Sequence, residues 1–380
     1  MRSLVVLLAS LVPISAQFFC NVPGKAESSK NQFDCSCSWD GIWLDIALLI
    51  DTSNSMTELG LSNVKASVDT LLHLMNISDS DRNSHFSVIG YSKEPTVLTG
   101  LNANQDQDTL TDIVNSMKYT GSGDLNMANA LIAAAAQLNK SKRKNAKKVI
   151  IIFGSVLSPI GDPLETASQL HEEGISILTV AYKEPDETSI ALRLSQLASP
   201  GMNFSSETVE LFTEIQESLC EVNCYCPKDW MPLHSGNKKT GQCMSLRNVD
   251  ADWCAGSLMC ELTGGYLMSK LDEGHMEQLR KYLINDARYP REMIHLHMGL
   301  HYHPPITNYV WQGGFGPLNE TEFVETPWCE GYPNLSRGNA VLSAMHRNGG
   351  KQCWMNEDHI STFSWYFCQR QACDTANYCP

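Results

Sequence analysis

The stretch Trp43–Ser55, WLDIALLIDTSNS, decides how the first half of this chain folds. It is apolar on successive residues, interrupted only by Asp45, and it ends on an Asp-Thr-Ser-Asn-Ser turn. A run apolar on both faces reads as a strand buried on both sides, the kind found in parallel sheets. Val64, Val68, Leu71, Leu72 and Met75 then recur at helical spacing. Phe86–Tyr91 reads as a strand, Leu125–Leu138 as an alanine-rich helix and Val149–Phe153 as a buried strand. A further helix starts at Asp162, Pro163 and Glu165: a capping side chain, a proline in the first turn and a carboxylate three residues past the cap. Gly174 ends that helix, and Ile175–Tyr182 makes the next strand. Strands alternating with helices predict an α/β, doubly wound, mostly parallel sheet covered on both sides. Ligands of such sheets sit beyond the carboxyl ends of the strands, where Asp51–Ser55 lies.

The segment before that strand sets the compartment. Arg2, an apolar run from Leu4 to Val12 and small residues at Ser15 and Ala16 have the layout of a secretory signal peptide over 1–16. No later stretch reaches membrane-spanning length, so a soluble, extracellular product is expected. The 14 cysteines form an even set, as suits an oxidising compartment. Cys20, Cys35 and Cys37 stand near the start, and the next is Cys220. The intervening residues must therefore fold on an apolar core alone. Asn76, Asn139, Asn203, Asn319 and Asn334 begin Asn-x-Ser/Thr glycan acceptors. A net charge of −14 argues against nucleic acid or an anionic membrane as partner. The basic run Lys140–Lys148 reads as a solvated turn.

The DxSxS loop at Asp51, Ser53 and Ser55, the strand order and the stretch Ala198-Ser199-Pro200-Gly201 resemble the von Willebrand factor A domain, across residues 40–222. That resemblance implies a divalent-cation site in which the two serines bind directly and the Asp through water. Two further loops complete it in the family. Here Leu125 stands where a Thr belongs, beside Asp124, and Gly154 in Phe153-Gly154-Ser155 removes the expected carboxylate. Mg²⁺ demands near-ideal octahedral oxygen geometry, so at most weak Mg²⁺ binding is expected from Asp51, Ser53, Ser55 and Asp124.

After Cys220 the texture changes to Trp, Gly, Pro and Cys with shorter elements. Cys226-Pro227 with Trp230, Trp253-Cys254, His297-Met298-Gly299-Leu300, Trp328–Asn334 and an aromatic strand ending at Cys368 resemble an α+β C-type lectin-like domain over 224–373. A Cys-containing segment at 17–39 and a tail at 374–380 flank the two domains. The resemblance implies Cys226–Cys243 and Cys260–Cys368 pairs, with the extra Cys329 and Cys353 able to bridge each other. It also implies a Ca²⁺ and sugar site at Tyr332, Asn334, Asn356 and Glu357. A phenol and the thioether of Met355 replace two of its oxygen ligands, so any Ca²⁺ is expected to be weakly bound. A glycan on Asn334 would exclude a cation there.

His295, His297, His301 and His303 would share one face of an extended strand and could hold Zn²⁺ or Cu²⁺. A turn across Gly299–Pro304 would separate them, leaving His297 as core filling. No HExxH, GxSxG or phosphate loop is present, and the chain reads as a binder rather than an enzyme. An unrecognised hydrolase is the remaining catalytic alternative. The two domains together resemble secreted nematode lectins, which implies an extracellular glycan or protein ligand, microbial surfaces among them, and a defence role. A matrix adhesion component is the alternative.

Overall fold

The computed structural model describes residue 35 and residues 37–143, 145–158, 160–182, 194–236, 238–313, 316–318 and 327–374. The leader at 1–16, Cys20, the acceptor Asn319 and Cys379 lie outside these residues. The described chain forms two compact units, one of 35–245 with 272–279 and 370–374, the other of 246–271 with 280–369.

In the larger unit the apolar run is β1 (Leu44–Asp51), buried along its whole length. It lies between two parallel neighbours, β2 (His85–Tyr91) and β4 (Lys147–Gly154). Outward from β4 come β5 (Ser176–Ala181) and β6 (Asn203–Ser205), both parallel. The other edge is β3 (Pro95–Thr99), antiparallel to β2. The order is β3-β2-β1-β4-β5-β6.

Side chains of a strand alternate between faces, and β1 shows why both of its faces had to be apolar. Leu44, Ile46, Leu48 and Ile50 pack with α1 (Glu58–Leu74), α2 (Gln107–Ser116) and α5 (Leu211–Asn223). Ala47 and Leu49 pack with α3 (Met127–Leu138) and α4 (Pro163–Glu172). The helix starts follow their caps: Asp162 accepts from Glu165 N with Pro163 in the first turn, and Asn126 accepts from Asn129 N.

Asp45 breaks the apolar run because Arg143 answers it. Both side chains are buried, at 0% and 8% exposure, and Arg143 Nε donates to Asp45 Oδ1 at 3.0 Å. The guanidinium also donates to the carbonyls of Leu44 and Asn83. The basic run at 140–148 is therefore not wholly solvated: Arg143 ties the start of β1 to the loops beside it. The Cys35–Cys224 and Cys37–Cys220 disulfides staple the segment before β1 to the end of α5. Buried Asn223 adds to this, accepting from Trp43 N and donating to the Gly41 carbonyl. The same unit holds the Cys226–Cys243 disulfide and the hairpin of β7 (Met231–Ser235) with β8 (Lys238–Ala251) up to residue 245. Tyr225 and Cys373 exchange backbone bonds at 3.0 and 2.8 Å.

In the smaller unit α6 (Trp253–Leu262) and the short strand β9 (Tyr266–Leu267) precede the part of α7 (Glu273–Asn285) from residue 280 onward. The central strand is β10 (Met293–His303). It pairs antiparallel with β11 (Asn308–Trp311) and β13 (Ala340–His346), and parallel with β15 (Ser364–Gln371). Beyond them β12 (Gly316–Pro317) lies on β11, β14 (Cys353–Glu357) on β13, and β9 on β15. Gly299 sits where a Cβ would come within 2.2 Å of Ser269 Oγ and 2.7 Å of the Leu267 carbonyl, so no other residue fits. Trp253 Nε1 donates to the neighbouring Met298 carbonyl at 2.7 Å, fixing α6 against β10. Met276, Leu279 and Leu283 of α7 are buried as their spacing predicts. Cys260–Cys368 and Cys329–Cys353 are disulfides within this unit. Cys254 and Cys373, for which spacing offers no partner, are disulfide-bonded as well.

Candidate functional site

The first candidate lies at the carboxyl ends of β1 and β4. Asp51 is fully buried. Its Oδ1 accepts from Ser53 N at 2.8 Å, and its Oδ2 from Ser155 Oγ at 2.5 Å and Ser155 N at 3.3 Å. The hydroxyl that reaches Asp51 thus belongs to Ser155, one residue past the Gly154 that drew attention in the sequence. Gly154 has its own reason: a Cβ there would stand 2.8 Å from the Tyr91 hydroxyl. Tyr91 fills the space from the end of β2, and that hydroxyl has no partner among the described residues. Burial first, then the Asp51 charge, raises the Tyr91 pKa well above its ordinary value.

The remaining predicted ligands do not join Asp51. Ser55 and Asp124 are exposed, and Asp124 Oδ2 lies 3.4 Å from Lys93 Nζ. Leu125 is buried. Ser53 Oγ is buried without a hydrogen-bond partner, and the Ser55 side chain faces solvent. Two loop hydroxyls beside a carboxylate already engaged by three donors do not fit the six-oxygen shell of Mg²⁺. The loop itself is held by protein bonds: Thr52 Oγ1 donates to the Tyr91 carbonyl, Thr120 Oγ1 to the Thr52 carbonyl, and Asn54 N to the Ser122 carbonyl.

The second candidate is the 332–338 loop of the smaller unit, against the end of β14. Here the structure brings Tyr332, Asn334, Asn356 and Glu357 together. Asn356 is fully buried: its Oδ1 accepts from Asn334 N at 2.7 Å, and its Nδ2 donates to the carbonyls of Asn334 and Gly338 at 2.8 and 2.5 Å. Asn334 Oδ1 accepts from both Ser336 N and Ser336 Oγ. Tyr332 donates its hydroxyl to Glu357 Oε1 at 2.8 Å.

Arg337, not singled out in the sequence, completes the group. Its Nη1 donates to Glu357 Oε1 at 3.0 Å and to the Tyr332 hydroxyl, and the guanidinium carbon lies 5.2 Å from the Tyr332 ring centroid. Partial burial, followed by the Glu357 carboxylate, raises the Tyr332 pKa. Asn334 Oδ1, Asn356 Oδ1 and Glu357 Oε1 are thus occupied by amide, hydroxyl and guanidinium donors. That set does not fit a cation needing six to eight oxygen ligands, roughly.

The four histidines do not converge. β10 is extended, but its register on β13 shifts between His297 and His301, and the histidines take separate neighbours. His297 is buried and donates Nε2 to the Ala251 carbonyl at 2.8 Å. His301 packs on Trp253 with ring centroids 5.0 Å apart, and burial lowers its pKa to about 4. His303 lies 6.5 Å from His301. His295 has its pKa lowered by burial and then by Arg291. Among the described residues no group of three or more His, Cys, Asp or Glu side chains is placed to hold a metal ion.

Residues 45–218 match the family model of the von Willebrand factor type A domain. Among curated proteins, C-type lectin domain-containing protein 160 of Caenorhabditis elegans is 29% identical over 366 residues, an alignment covering 91% of this chain and 56% of that protein. The chain thus spans a little over half the length of that relative. Among solved structures, proximal thread matrix protein 1 from the mussel byssus, with a zinc-occupied MIDAS motif, aligns at 18% identity with a TM-score of 0.40, covering 50% of this chain and 46% of that one. The C-type lectin domain of murine dendritic cell inhibitory receptor 2, in complex with N-glycan, aligns at 20% identity with a TM-score of 0.30, covering 38% of this chain and 98% of that one.

Proposed function

We propose that this chain, a von Willebrand factor A domain followed by a C-type lectin-like domain, is a secreted recognition protein whose contacts with glycan or protein do not depend on Mg²⁺ or Ca²⁺. One observation carries the reading: the Asp51 carboxylate, the Asn356 amide oxygen and Glu357 Oε1, on which the two cation sites would draw, accept from donors of the protein itself. Both loops are therefore shaped without a metal, and recognition of a ligand needs no bound cation. The disulfides support an extracellular setting, since they persist in oxidising compartments.

Binding rather than catalysis is the reading for the same reason. A Ser–His contact exists, with Ser199 Oγ 3.4 Å from His171 Nδ1. Its other bonds are structural, because His171 Nε2 lies 3.1 Å from the Leu197 carbonyl and Ser199 Oγ accepts from Ile177 N. The pair holds the loop before β6 and presents no free nucleophile.

A defence role against microbes is the finer form of this proposal, and matrix adhesion its competitor. The test is retention of the full secreted chain on bacterial surface polysaccharide and on host extracellular matrix, each with Ca²⁺ plus Mg²⁺ or with chelator. Retention on the bacterial material that chelator leaves unchanged is the expected result. Loss on chelation, restored by Ca²⁺ or Mg²⁺, would overturn cation independence. Retention on matrix alone would overturn the defence role.

A further inference from the structure

Asn334 occupies an unusual position among the glycan acceptors. Its backbone N–H is taken by Asn356 Oδ1, its backbone carbonyl by Asn356 Nδ2, and its side-chain Oδ1 by the two donors of Ser336. The side chain is exposed, and Nδ2 has no partner among the described residues. So the one polar atom of Asn334 left unused is the atom to which an N-linked sugar attaches. At the other described acceptors the local bonding differs. Asn76 Oδ1 and Ser78 Oγ both accept from Asn83 Nδ2, and Asn139 Oδ1 accepts from Lys148 Nζ. Of these, Asn334 alone has its own acceptor hydroxyl donating to its amide oxygen, at 2.7 Å. That bond draws charge toward Oδ1 and makes an Nδ2 proton easier to lose, and it spans two residues, so the chain can form it before the domain has folded.

We infer that Asn334 carries an N-linked glycan in the secreted protein and that this covalent sugar covers the 332–338 loop. The donor class is an oligosaccharide on a polyisoprenyl pyrophosphate. The C1–O bond to the pyrophosphate breaks and the Nδ2–C1 bond forms. The pyrophosphate leaves with the bonding pair, and one Nδ2 proton passes to a base of the transferase. Once attached, the glycan lies over exposed Leu335 and beside the Arg337–Glu357–Tyr332 group. A loop wearing its own sugar is shielded from sugar ligands and from proteases alike.

The experiment is site-resolved glycopeptide mapping of the full chain secreted from eukaryotic cells, with Ser336→Ala, Ser336→Thr and Asn334→Gln alongside. Asn334 is expected to be modified in most wild-type and Ser336→Thr molecules, and Ser336→Ala to lose that glycan alone. Limited trypsin digestion reads the shielding, since Arg337 is exposed three residues away. Cleavage after Arg337 is expected to be roughly fivefold or more faster in Asn334→Gln than in the wild type, because exposed loop tips are the preferred sites of nicking. A bare Asn334 in molecules glycosylated at Asn76 or Asn203 would overturn the assignment. Equal cleavage rates in a chain shown to be modified would overturn the shielding. Either failure leaves chelator-insensitive binding untouched, so it is distinguishable from failure of the proposed function.

Discussion

Replacing Arg337 by alanine isolates what the guanidinium does for the 332–338 loop. The pair with Glu357 is partly solvated, with side-chain exposures of 53% and 26%. Such a pair is worth about 0.5–1 kcal/mol, and the stacking on Tyr332 adds roughly 0.5. A loss of about 1 kcal/mol follows, which lowers the melting transition of a unit this size by about 3–5 °C. The more telling effect is chemical. Without the guanidinium, Glu357 Oε1 keeps only the Tyr332 hydroxyl donor, and the positive charge beside the carboxylate is gone. Ca²⁺ can then compete for a carboxylate that the wild-type loop withholds. If the variant acquires a site with Kd near 1 mM, as in extracellular modules, tenfold that concentration of Ca²⁺ stabilises it by about 1.4 kcal/mol. The assay is thermal unfolding of wild type and Arg337→Ala across a Ca²⁺ titration. A flat wild-type response with a rising transition in the variant is expected. A wild-type transition that rises with Ca²⁺ as steeply as the variant's would refute the view that an internal cation has displaced the metal.

Four further outcomes follow from the same geometry. Arg143→Met leaves Asp45 charged and buried without its partner, which should cost about 3–5 kcal/mol in chemical denaturation, far more than any other change in the 140–148 run. Ser155→Ala removes a buried charge-assisted bond to Asp51 and should destabilise the larger unit by roughly 1.5–3 kcal/mol, with no Mg²⁺ concentration restoring it. His301, with its pKa lowered from the ordinary 6.5 to about 4, is neutral in the folded state at pH 7. The unfolded chain binds more protons between those two values, so stability is full above pH 6.5 and declines as pH falls toward 4. Phenylalanine at 301 keeps the stack on Trp253, and His301→Phe should flatten that decline in a pH series of melting curves, with His303 nearby left intact. Replacing both Cys260 and Cys368 by serine opens a bridge with a sequence separation of 108, removing about 4–5 kcal/mol and lowering the denaturation midpoint.

How much of this was legible beforehand depends on the kind of signal. The sheet was, because an apolar run such as Leu44–Ile50 can be satisfied only by cover on both faces, and α1 to α5 supply it. Helix starts were legible where the cap is local, as at Asp162 with Glu165. The Asp45–Arg143 bond was not: its partners stand 98 residues apart, and a basic stretch carries no mark of which side chain turns inward. The histidine row failed for a different reason. Period-two spacing places side chains along a strand but not their partners, and His297 is taken by the Ala251 carbonyl while His301 packs on Trp253.

The two candidate sites share a lesson about reading degenerate motifs. Counting ligands in the sequence marks Leu125, Gly154, Tyr332 and Met355 as gaps in the two family motifs. A gap alone cannot persist, however, because a buried carboxylate or amide stripped of its cation still needs donors, and leaving one unsatisfied costs about 1–3 kcal/mol, more for a charge. Each lost metal should therefore be matched by a donor close to where the ligand disappeared. Ser155, adjacent to Gly154, serves Asp51 with its hydroxyl and its N–H. Arg337, five residues after Tyr332, serves Glu357, while Tyr332 itself turns from missing ligand into donor. On the proposed reading, the substitution that removes a ligand and the residue that supplies a donor belong to one structural change. In a single sequence, a Ser, Arg or Tyr beside a broken cation motif is better evidence that the metal is gone than the break is by itself.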